Sequence, residues 1–381
     1  MENLKKSLYA LFLVNLGIAL ALDLISPLQP LFIQSLGASV VEVGFVLSVS
    51  SFTATALIIP SSLMAEKYGN RKIIILSVIS ASISVLLYAV VENWVQLYPL
   101  VIIYTVSFNV FIPARMVYIA EASLLENRAS IYGLMNIAWP LGSLIAPVLA
   151  GVIADMYGWS PVFTVASTVM ALCLAPALMI REVKGLSKCS EESEEDWSFR
   201  RLFKTMNLLI VFHVLISLTV GVSNTLLSIY VSEKFHASTT QVGFMFSMVG
   251  LATLMSQLGA AYILKKTDLK RFLQLCLLIM TSLYVFLPFV EDLNFFTIIY
   301  AVSYGLYSAT WPASATLVTM AIPNSKWNMG MGFRQTAVRL GFSLASMMAG
   351  LLWSSLGSTS VFYVSSILAI LTIVPLLLLK K

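Results

Sequence analysis

The sequence contains few of the residues from which enzyme and metal sites are commonly built. It has two histidines and three cysteines in 381 residues, and only 11% of its residues are charged. Cys173 and Cys276 fall in apolar stretches and Cys189 in a polar one, without metal-site spacing, so we interpret them as buried or free thiols. His-Glu-x-x-His, Gly-x-Ser-x-Gly and Gly-x-x-x-x-Gly-Lys-Ser/Thr motifs do not occur. The sequence therefore predicts no cofactor and no metal site.

Apolar residues are abundant instead, at 59% of the chain with a mean hydropathy of +0.90. A soluble protein could not hide this much apolar surface, and about 20 apolar residues suffice for a membrane-spanning helix. Such stretches recur along the whole chain. They predict an all-α membrane protein with twelve spans, near residues 7–34, 40–62, 73–91, 94–120, 129–154, 160–181, 206–232, 239–264, 271–290, 294–321, 327–354 and 360–379.

The positions of lysine and arginine predict the orientation of these spans. With the amino terminus placed in the cytoplasm, most of the 23 basic residues fall on the cytoplasmic side. The net charge of +5 is therefore a topology signal and gives no indication of a nucleic-acid partner. We expect a multi-pass protein of the plasma membrane with both termini in the cytoplasm.

The sequence repeats itself when it is shifted so that residue 36 falls on residue 235, and we call this shift the repeat offset. Residues 36–50 then align with residues 235–249, and the register continues without a gap through five further glycine and proline pairs: Pro113/Pro312, Gly133/Gly332, Gly142/Gly341, Gly151/Gly350 and Gly158/Gly357. Glycines that recur at one offset indicate equivalent close approaches of helices. The repeat predicts two parallel six-helix halves, residues 1–181 and 205–381. The acidic segment 182–204 between them would be a solvated tether or a regulatory or binding segment.

The loop between the second and third spans carries a recognisable motif, SLMAEKYGNRK, over residues 62–72. It resembles Gly-x-x-x-Asp-Arg/Lys-x-Gly-Arg-Arg/Lys, the most specific signature of the major facilitator superfamily (MFS), whose architecture of two six-helix halves fits the whole chain. The motif is matched at Lys67, Gly69 and Arg71. It departs conservatively at Ser62, Glu66 and Asn70.

The resemblance implies that this loop holds a cytoplasmic gate closed. Glu66 would approach the start of the eleventh span, where a carboxylate meets the positive end of the helix dipole. Arg71 would pair with an acid at the end of the fourth span, for which Glu121 is the candidate. A simpler interpretation remains open, in which Gly69 makes a tight turn and the basic residues only fix the topology. The gate residues are Glu66, Lys67, Gly69, Arg71 and Glu121.

The resemblance also implies a substrate cavity near the membrane midplane, lined by spans 1, 4, 7 and 10. Helical periodicity places aromatic or polar side chains on one face of each of these spans. An aromatic stripe can reflect packing as well as a pocket, whereas a polar stripe should face water or protein. The predicted cavity residues are Asp23, Gln34, Tyr104, Phe108, Phe111, Arg115, His213, Ser217, Asn224, Tyr300, Tyr304, Tyr307, Trp311 and Arg339.

Asp23 is the only acid well inside a predicted span, and it lies beside a helix bend expected from Pro27 and Pro30. An ionised carboxylate is costly at this depth. We therefore hypothesise that Asp23 alternates between a protonated form and a charged form facing Arg115, which would couple proton release to substrate binding. The alternative is a static ion pair. Arg334 and Arg339 lie on different faces of the eleventh span, so they are either structural or only partly in the cavity.

The sequence thus favours a secondary active transporter that works by alternating access, through proton-coupled efflux of small, partly apolar molecules. Residues 142–151, GSLIAPVLAG, resemble the Gly-Pro motif of antiporters in this family, with Ala146 and Ala150 replacing glycines. An organic-anion carrier that uses the intramembrane arginines is the alternative within transport. A membrane enzyme or a non-transporting sensor finds no supporting motif. The expected partners are a small-molecule substrate, protons or another coupling ion and the lipid bilayer, with a monomer as the expected state.

Overall fold

The computed structural model describes residues 2–57, 60–61, 64, 67–123, 131–132, 134–182, 199–264, 267–323 and 326–379. These residues are almost entirely helical. The α-helices are α1 (Glu2–Ile25), α2 (Gln29–Ser35), α3 (Val40–Ala56), α4 (Asn70–Tyr88), α5 (Leu97–Glu121), α6 (Ala138–Tyr157), α7 (Trp159–Leu172), α8 (Leu174–Met179), α9 (Phe199–Thr225), α10 (Leu227–Phe235), α11 (Thr239–Ile263), α12 (Leu269–Phe286), α13 (Leu293–Ala321), α14 (Trp327–Leu356) and α15 (Ser360–Leu378).

Ten helices within the described ranges are long and apolar enough to cross a membrane. The shorter apolar helix α3 covers the second predicted span. Helix α13 covers the tenth, and its 29 residues are long enough to cross, although its tyrosine, serine and threonine side chains lower its hydropathy. The all-α membrane class is confirmed, and each predicted span corresponds to a helix or a pair of consecutive helices.

The first and seventh spans are both broken at equivalent positions. Helix α1 ends at Ile25 and α2 begins at Gln29, with the amide of Leu28 donating to the carbonyl of Ile25 in the turn. Pro27 causes this break because it cannot donate to a carbonyl of the preceding turn. The break between α9 and α10 lies at Leu226, which the repeat offset places opposite Pro27. No proline marks it, and the sequence did not predict it.

The chain divides into two compact units, and each includes a short segment from the opposite half of the sequence. Unit 1 consists of Met1–Ala38, Thr53–Cys189 and Ala237–Ser247. Unit 2 consists of Ser39–Phe52, Ser190–His236 and Met248–Lys381. The start of α3 therefore packs with unit 2 and the start of α11 with unit 1. These two exchanged segments are equivalent, because the repeat offset places one on the other.

The pairs Gly142/Gly341 and Gly151/Gly350 are close helix approaches, as predicted, whereas a β-carbon at Gly158, Gly332 or Gly357 would meet no atom within 4 Å. In unit 1, a β-carbon added at Gly142 would lie 2.9 Å from the carbonyl carbon of Ala19. In unit 2, a β-carbon at Gly341 would lie 3.2 Å from the backbone nitrogen of Leu218, which is the repeat equivalent of Ala19. Gly142 and Gly341 therefore occupy equivalent positions, and a larger residue would push the helices apart.

The exchanged segments make a second pair of equivalent approaches. In unit 2, a β-carbon at Gly350 would come within 2.9 Å of the Val40 carbonyl oxygen. In unit 1, a β-carbon at Gly151 would meet the Thr239 carbonyl oxygen and lie 2.7 Å from the Cα of Thr240. Gly350 and Thr239 are the repeat equivalents of Gly151 and Val40. The duplication thus extends from the sequence to specific backbone contacts.

Candidate functional site

The half-buried Asp23 lies near the end of α1, immediately before the break in the first span. A β-carbon added at Gly142 of α6 would lie 2.9 Å from Asp23 Oδ2. Tyr104, on α5, lies near Asp23, and its hydroxyl is buried without a hydrogen-bond partner in the described part of the chain. Asp23 is therefore held within unit 1, between an antiporter-like glycine motif and a predicted cavity residue.

Arg115 has a different partner from the one predicted. Its side chain on α5 is 5% exposed, and its guanidinium donates to Asn15 Oδ1 at 2.5 Å and lies 5.9 Å from the ring of Trp139. The Asn15 amide donates in turn to the carbonyl oxygen of Met135. Asn15 lies about two helical turns before Asp23, which is about 12 Å along a helix. The structure thus brings Arg115 to Asn15, and the expected contact with Asp23 is not among its described contacts.

The gate motif is only partly described, because Glu66 lies outside the described residues. Gly69 adopts a φ of 86° immediately before α4, as expected for a glycine at a tight turn. Lys67 is exposed, and its ammonium lies 5.3 Å from the ring of Tyr68. The turn is present, and the contact of Glu66 with the start of the eleventh span stays a prediction.

Arg71 anchors the end of α8. Its Nε donates to the carbonyl oxygen of Ile180 at 2.6 Å, and a terminal nitrogen donates to that of Leu178 at 3.2 Å. Carbonyls at a helix C-terminus lack partners within the helix, so a basic side chain stabilises them. Glu121 accepts its hydrogen bond from Asn70 Nδ2 at 3.0 Å. The predicted Arg71–Glu121 pair is therefore replaced by an Asn70–Glu121 contact, at a position where the sequence departs from the family motif.

A second buried arginine, Arg334 on α14, lies in unit 2 and is 6% exposed. Its Nε donates to His213 Nε2 at 3.2 Å, and a terminal nitrogen donates to Ser314 Oγ at 3.4 Å. The guanidinium carbon lies 5.2 Å from the ring of Trp311. His213 Nδ1 lies 2.6 Å from the Leu209 carbonyl oxygen. Because Nε2 accepts, His213 is neutral and carries its proton on Nδ1.

The two arginine sites correspond through the repeat, although the arginines come from different helices. Ser314 is the repeat equivalent of Arg115, and Arg334 is the repeat equivalent of Met135, so each site combines the same two positions. Each guanidinium lies over a tryptophan, which gives a cation–π contact. Sequence reasoning left open whether Arg334 is structural or functional.

The aromatic stripe of α13 forms a continuous ladder within unit 2. Ring centroids are 6.4 Å apart for Tyr300 and Tyr304, 5.6 Å for Tyr304 and Tyr307, and 6.1 Å for Tyr307 and Trp311. Tyr300 also donates to Asn224 Oδ1 at 3.0 Å, which joins α13 to α9. The predicted stripe thus packs largely against itself and against α9.

The stripe of α5 is divided between packing and a more open surface. Phe111 is 1% exposed and belongs to the core of unit 1, whereas the half-buried Phe108 contacts Trp139 edge-to-face at 5.8 Å. Gln34 on α2 and Arg339 on α14 are half-buried. The Nε of Arg339 has no hydrogen-bond partner in the described part of the chain.

The start of α11 carries a site that sequence reasoning missed. Asp155, near the end of α6, accepts hydrogen bonds from the backbone amides of Thr239 at 3.1 Å and Thr240 at 2.8 Å. A carboxylate in this place satisfies amides that lack partners in the helix and meets the positive end of the helix dipole. Ser238 and Gln241 add a capping box, which repeats that of Ser39 and Glu42 at the start of α3.

Comparisons with known proteins agree with this architecture. The sequence profile of the Major Facilitator Superfamily matches residues 11–218 and 209–381. An uncharacterised MFS-type transporter of Methanocaldococcus jannaschii is 23% identical over 380 residues, which cover 97% of each chain. Multidrug resistance protein 2 of Bacillus subtilis is 25% identical over 288 residues, 72% of this chain and 71% of the relative.

A solved structure has the same fold. A POT family transporter crystallised with 5-aminolevulinic acid superposes with a TM-score of 0.83 at 14% identity, over 97% of this chain and 95% of the other. The family profile covers almost the whole chain in two overlapping matches. The chain therefore belongs to the major facilitator superfamily and is a membrane transporter rather than an enzyme.

Proposed function

We propose that the chain is a proton-coupled exporter of small molecules that works by alternating access in the plasma membrane, with both termini in the cytoplasm. The observation that carries this proposal is the position of Asp23. Helices α1 and α2 together form the first span. Among the acidic residues of the described spans, Asp23 lies farthest from either end of its span. An acid at such a depth is a functional candidate, because an ionised carboxylate is costly there.

The surroundings of Asp23 suit a proton carrier. The described contacts include no cation that would hold its charge permanently, so the protonated form is accessible. Tyr104 supplies a buried hydroxyl near the carboxylate, and the absent β-carbon at Gly142 provides the space that the carboxylate occupies. The break at residues 26–28 follows directly, so a change in the charge of Asp23 acts next to a point where the span can bend.

The relatives supply further support for export. Multidrug resistance protein 2 of Bacillus subtilis is named for drug resistance, and it is 25% identical to this chain over 72% of the chain's length. Within unit 1 the proposed substrate-binding residues are Asp23, Gln34 and Tyr104, and within unit 2 they include Asn224 and Tyr300. Asn15 and Trp139 join the list because they hold Arg115.

One observation favours a second candidate, an organic-anion carrier. Arg115 and Arg334 are both buried, and the hydrogen-bond partners that the structure describes for them are neutral, namely Asn15, His213 and Ser314. A buried cation without a counter-ion is costly, and a bound anion would offset that cost. The two candidates are compatible if the exported molecule is an organic acid.

Transport in proteoliposomes tests proton coupling with a cationic and an anionic probe. Purified protein is reconstituted, a pH gradient or a membrane potential is imposed separately, and accumulation of ethidium and of radiolabelled benzoate is followed. Proton-coupled export predicts accumulation that requires the pH gradient and disappears with a protonophore. Accumulation that depends only on the membrane potential, or that ignores both gradients, would contradict proton coupling, whichever probe is carried.

A further inference from the structure

A cluster of polar side chains lies buried in unit 2 among α9, α13 and α14. We call it the Arg334 cluster and define it as His213, Ser217, Tyr307, Ser314 and Arg334. Each member is at least nine-tenths buried, with Ser217 at 0% and Tyr307 at 4% exposed. Trp311 beside the cluster is 38% exposed, so the cluster reaches the protein surface at this side chain.

The cluster carries one uncompensated positive charge. Arg334 bonds to His213 and Ser314. His213 is neutral because its Nε2 accepts from the guanidinium, and Ser314 donates its own proton to the Trp311 carbonyl at 3.1 Å. A guanidinium has five N–H groups, and these two bonds leave others for a ligand. No carboxylate is among the partners that the structure describes for Arg334.

Two buried hydroxyls beside the charge also have no partner. Ser217 Oγ and Tyr307 Oη make no hydrogen bond within the described part of the chain. The Tyr307 hydroxyl approaches Ser217 without reaching hydrogen-bond geometry, and both lie near Arg334. An unpaired buried hydroxyl lowers stability, so two of them next to an uncompensated cation require an explanation. A ligand that accepts hydrogen bonds would satisfy all three groups together.

We propose that the Arg334 cluster binds the carboxylate of a small organic acid with an aromatic or apolar body. The planar guanidinium fork matches a carboxylate, and Ser217 and Tyr307 donate to the same anion. The body of the acid packs against the rings of Tyr307, Trp311 and Phe342; the Tyr307 and Phe342 centroids are 6.5 Å apart. A single cation fits a monoanion better than a phosphate. This inference rests on the proposed transport of a small molecule and specifies the class of that molecule.

Equilibrium binding tests the inference without any gradient. Isothermal titration calorimetry of the purified full-length protein compares benzoate, salicylate and octanoate with their neutral amides, benzamide, salicylamide and octanamide. At least one acid is expected to bind about tenfold or more tightly than its amide, because a charge-assisted hydrogen bond is lost in the amide. Equal affinity for acid and amide in all three pairs would overturn the inference.

Variants assign the preference to the cluster. Arg334→Gln should remove the preference for the acid, whereas Arg334→Lys should retain part of it because the charge remains without the planar fork. Ser217→Ala and Tyr307→Phe remove hydroxyls that make no described bond, so they should fold and should weaken binding of the acid severalfold. Ser303→Ala is the matched control, because Ser303 is equally buried but its hydroxyl donates to the Tyr300 carbonyl.

An acid preference that persists unchanged in folded Arg334→Gln would overturn the assignment. If Arg334→Gln does not fold, unchanged binding in both hydroxyl variants would do so. Failure of proton-driven transport would leave these binding results intact, so failure of this inference and failure of the proposed function are distinguishable.

Discussion

The carboxylate of Asp23 occupies the space that a side chain at residue 142 would need. A β-carbon at Gly142 would lie 2.9 Å from Asp23 Oδ2 and 2.9 Å from the Ala19 carbonyl carbon. Both distances are shorter than van der Waals contact allows, and one of the two neighbours is backbone. The glycine of the antiporter-like motif thus sets how closely α6 approaches the acid of α1.

Gly142→Ala should therefore impair both packing and coupling. The methyl group must displace the Asp23 carboxylate or separate α1 from α6, and overpacking of this kind costs about 1–3 kcal/mol. We expect a lower midpoint of thermal unfolding and a loss of pH-driven accumulation that exceeds any loss of substrate binding. The matched control is Gly259→Ala in α11, where a β-carbon would meet no atom within 4 Å. Equal behaviour of the two variants would contradict this account.

Asp155 should stabilise the first turn of α11. Asp155→Asn keeps the shape of the side chain but removes the charge that faces the Thr239 and Thr240 amides, at a cost of about 0.3–1 kcal/mol. Hydrogen exchange at these amides should become faster in the variant. Glu42→Gln provides the control, because the residue equivalent to Glu42 in the second half is already a glutamine, Gln241. This control variant should leave hydrogen exchange at Thr239 unchanged. Unaltered exchange in Asp155→Asn would show that the cap contributes nothing.

The contacts of the loop before α4 predict how its substitutions combine. A double-mutant cycle between Arg71→Ala and Glu121→Gln should give a coupling below about 0.3 kcal/mol, since these side chains have different partners. The cycle between Asn70→Ala and Glu121→Gln should give about 0.5 kcal/mol or more, because these two share a hydrogen bond. Thermal or chemical unfolding supplies the free energies. The reverse order of couplings would restore the ion pair that the family motif implied.

The sequence predicted the helices and the equivalence of the two halves because both depend on local pattern. Runs of apolar residues determine spans whatever their neighbours are, and the shared offset of Gly142 and Gly341 reflects the same packing requirement in each half. The break at Pro27 was predictable for the same reason, since proline acts on its own helix. The break at Leu226 has no such local cause, and only the repeat indicates it.

Side-chain partners were predicted less well, because they depend on how deep each residue lies along its helix and on how far its side chain extends. Helical periodicity gives the face on which Arg115 lies, but it does not decide between Asn15 and Asp23, two turns apart on the neighbouring helix. The same uncertainty applied to Glu121, which was predicted to pair with Arg71 but accepts its hydrogen bond from the adjacent Asn70. Burial of Ser217 and Tyr307 without partners is likewise visible only in three dimensions.

The most direct test of the account is the proton requirement of Asp23→Asn. Accumulation and downhill exchange are measured in proteoliposomes with ethidium or benzoate, whichever the unaltered protein accumulates, and Glu42→Gln serves as a control acid-to-amide change. If Asp23 carries the proton, Asp23→Asn loses accumulation driven by the pH gradient but retains substrate binding and downhill exchange. Full accumulation driven by the pH gradient in Asp23→Asn would contradict the account and exclude Asp23 as the proton carrier.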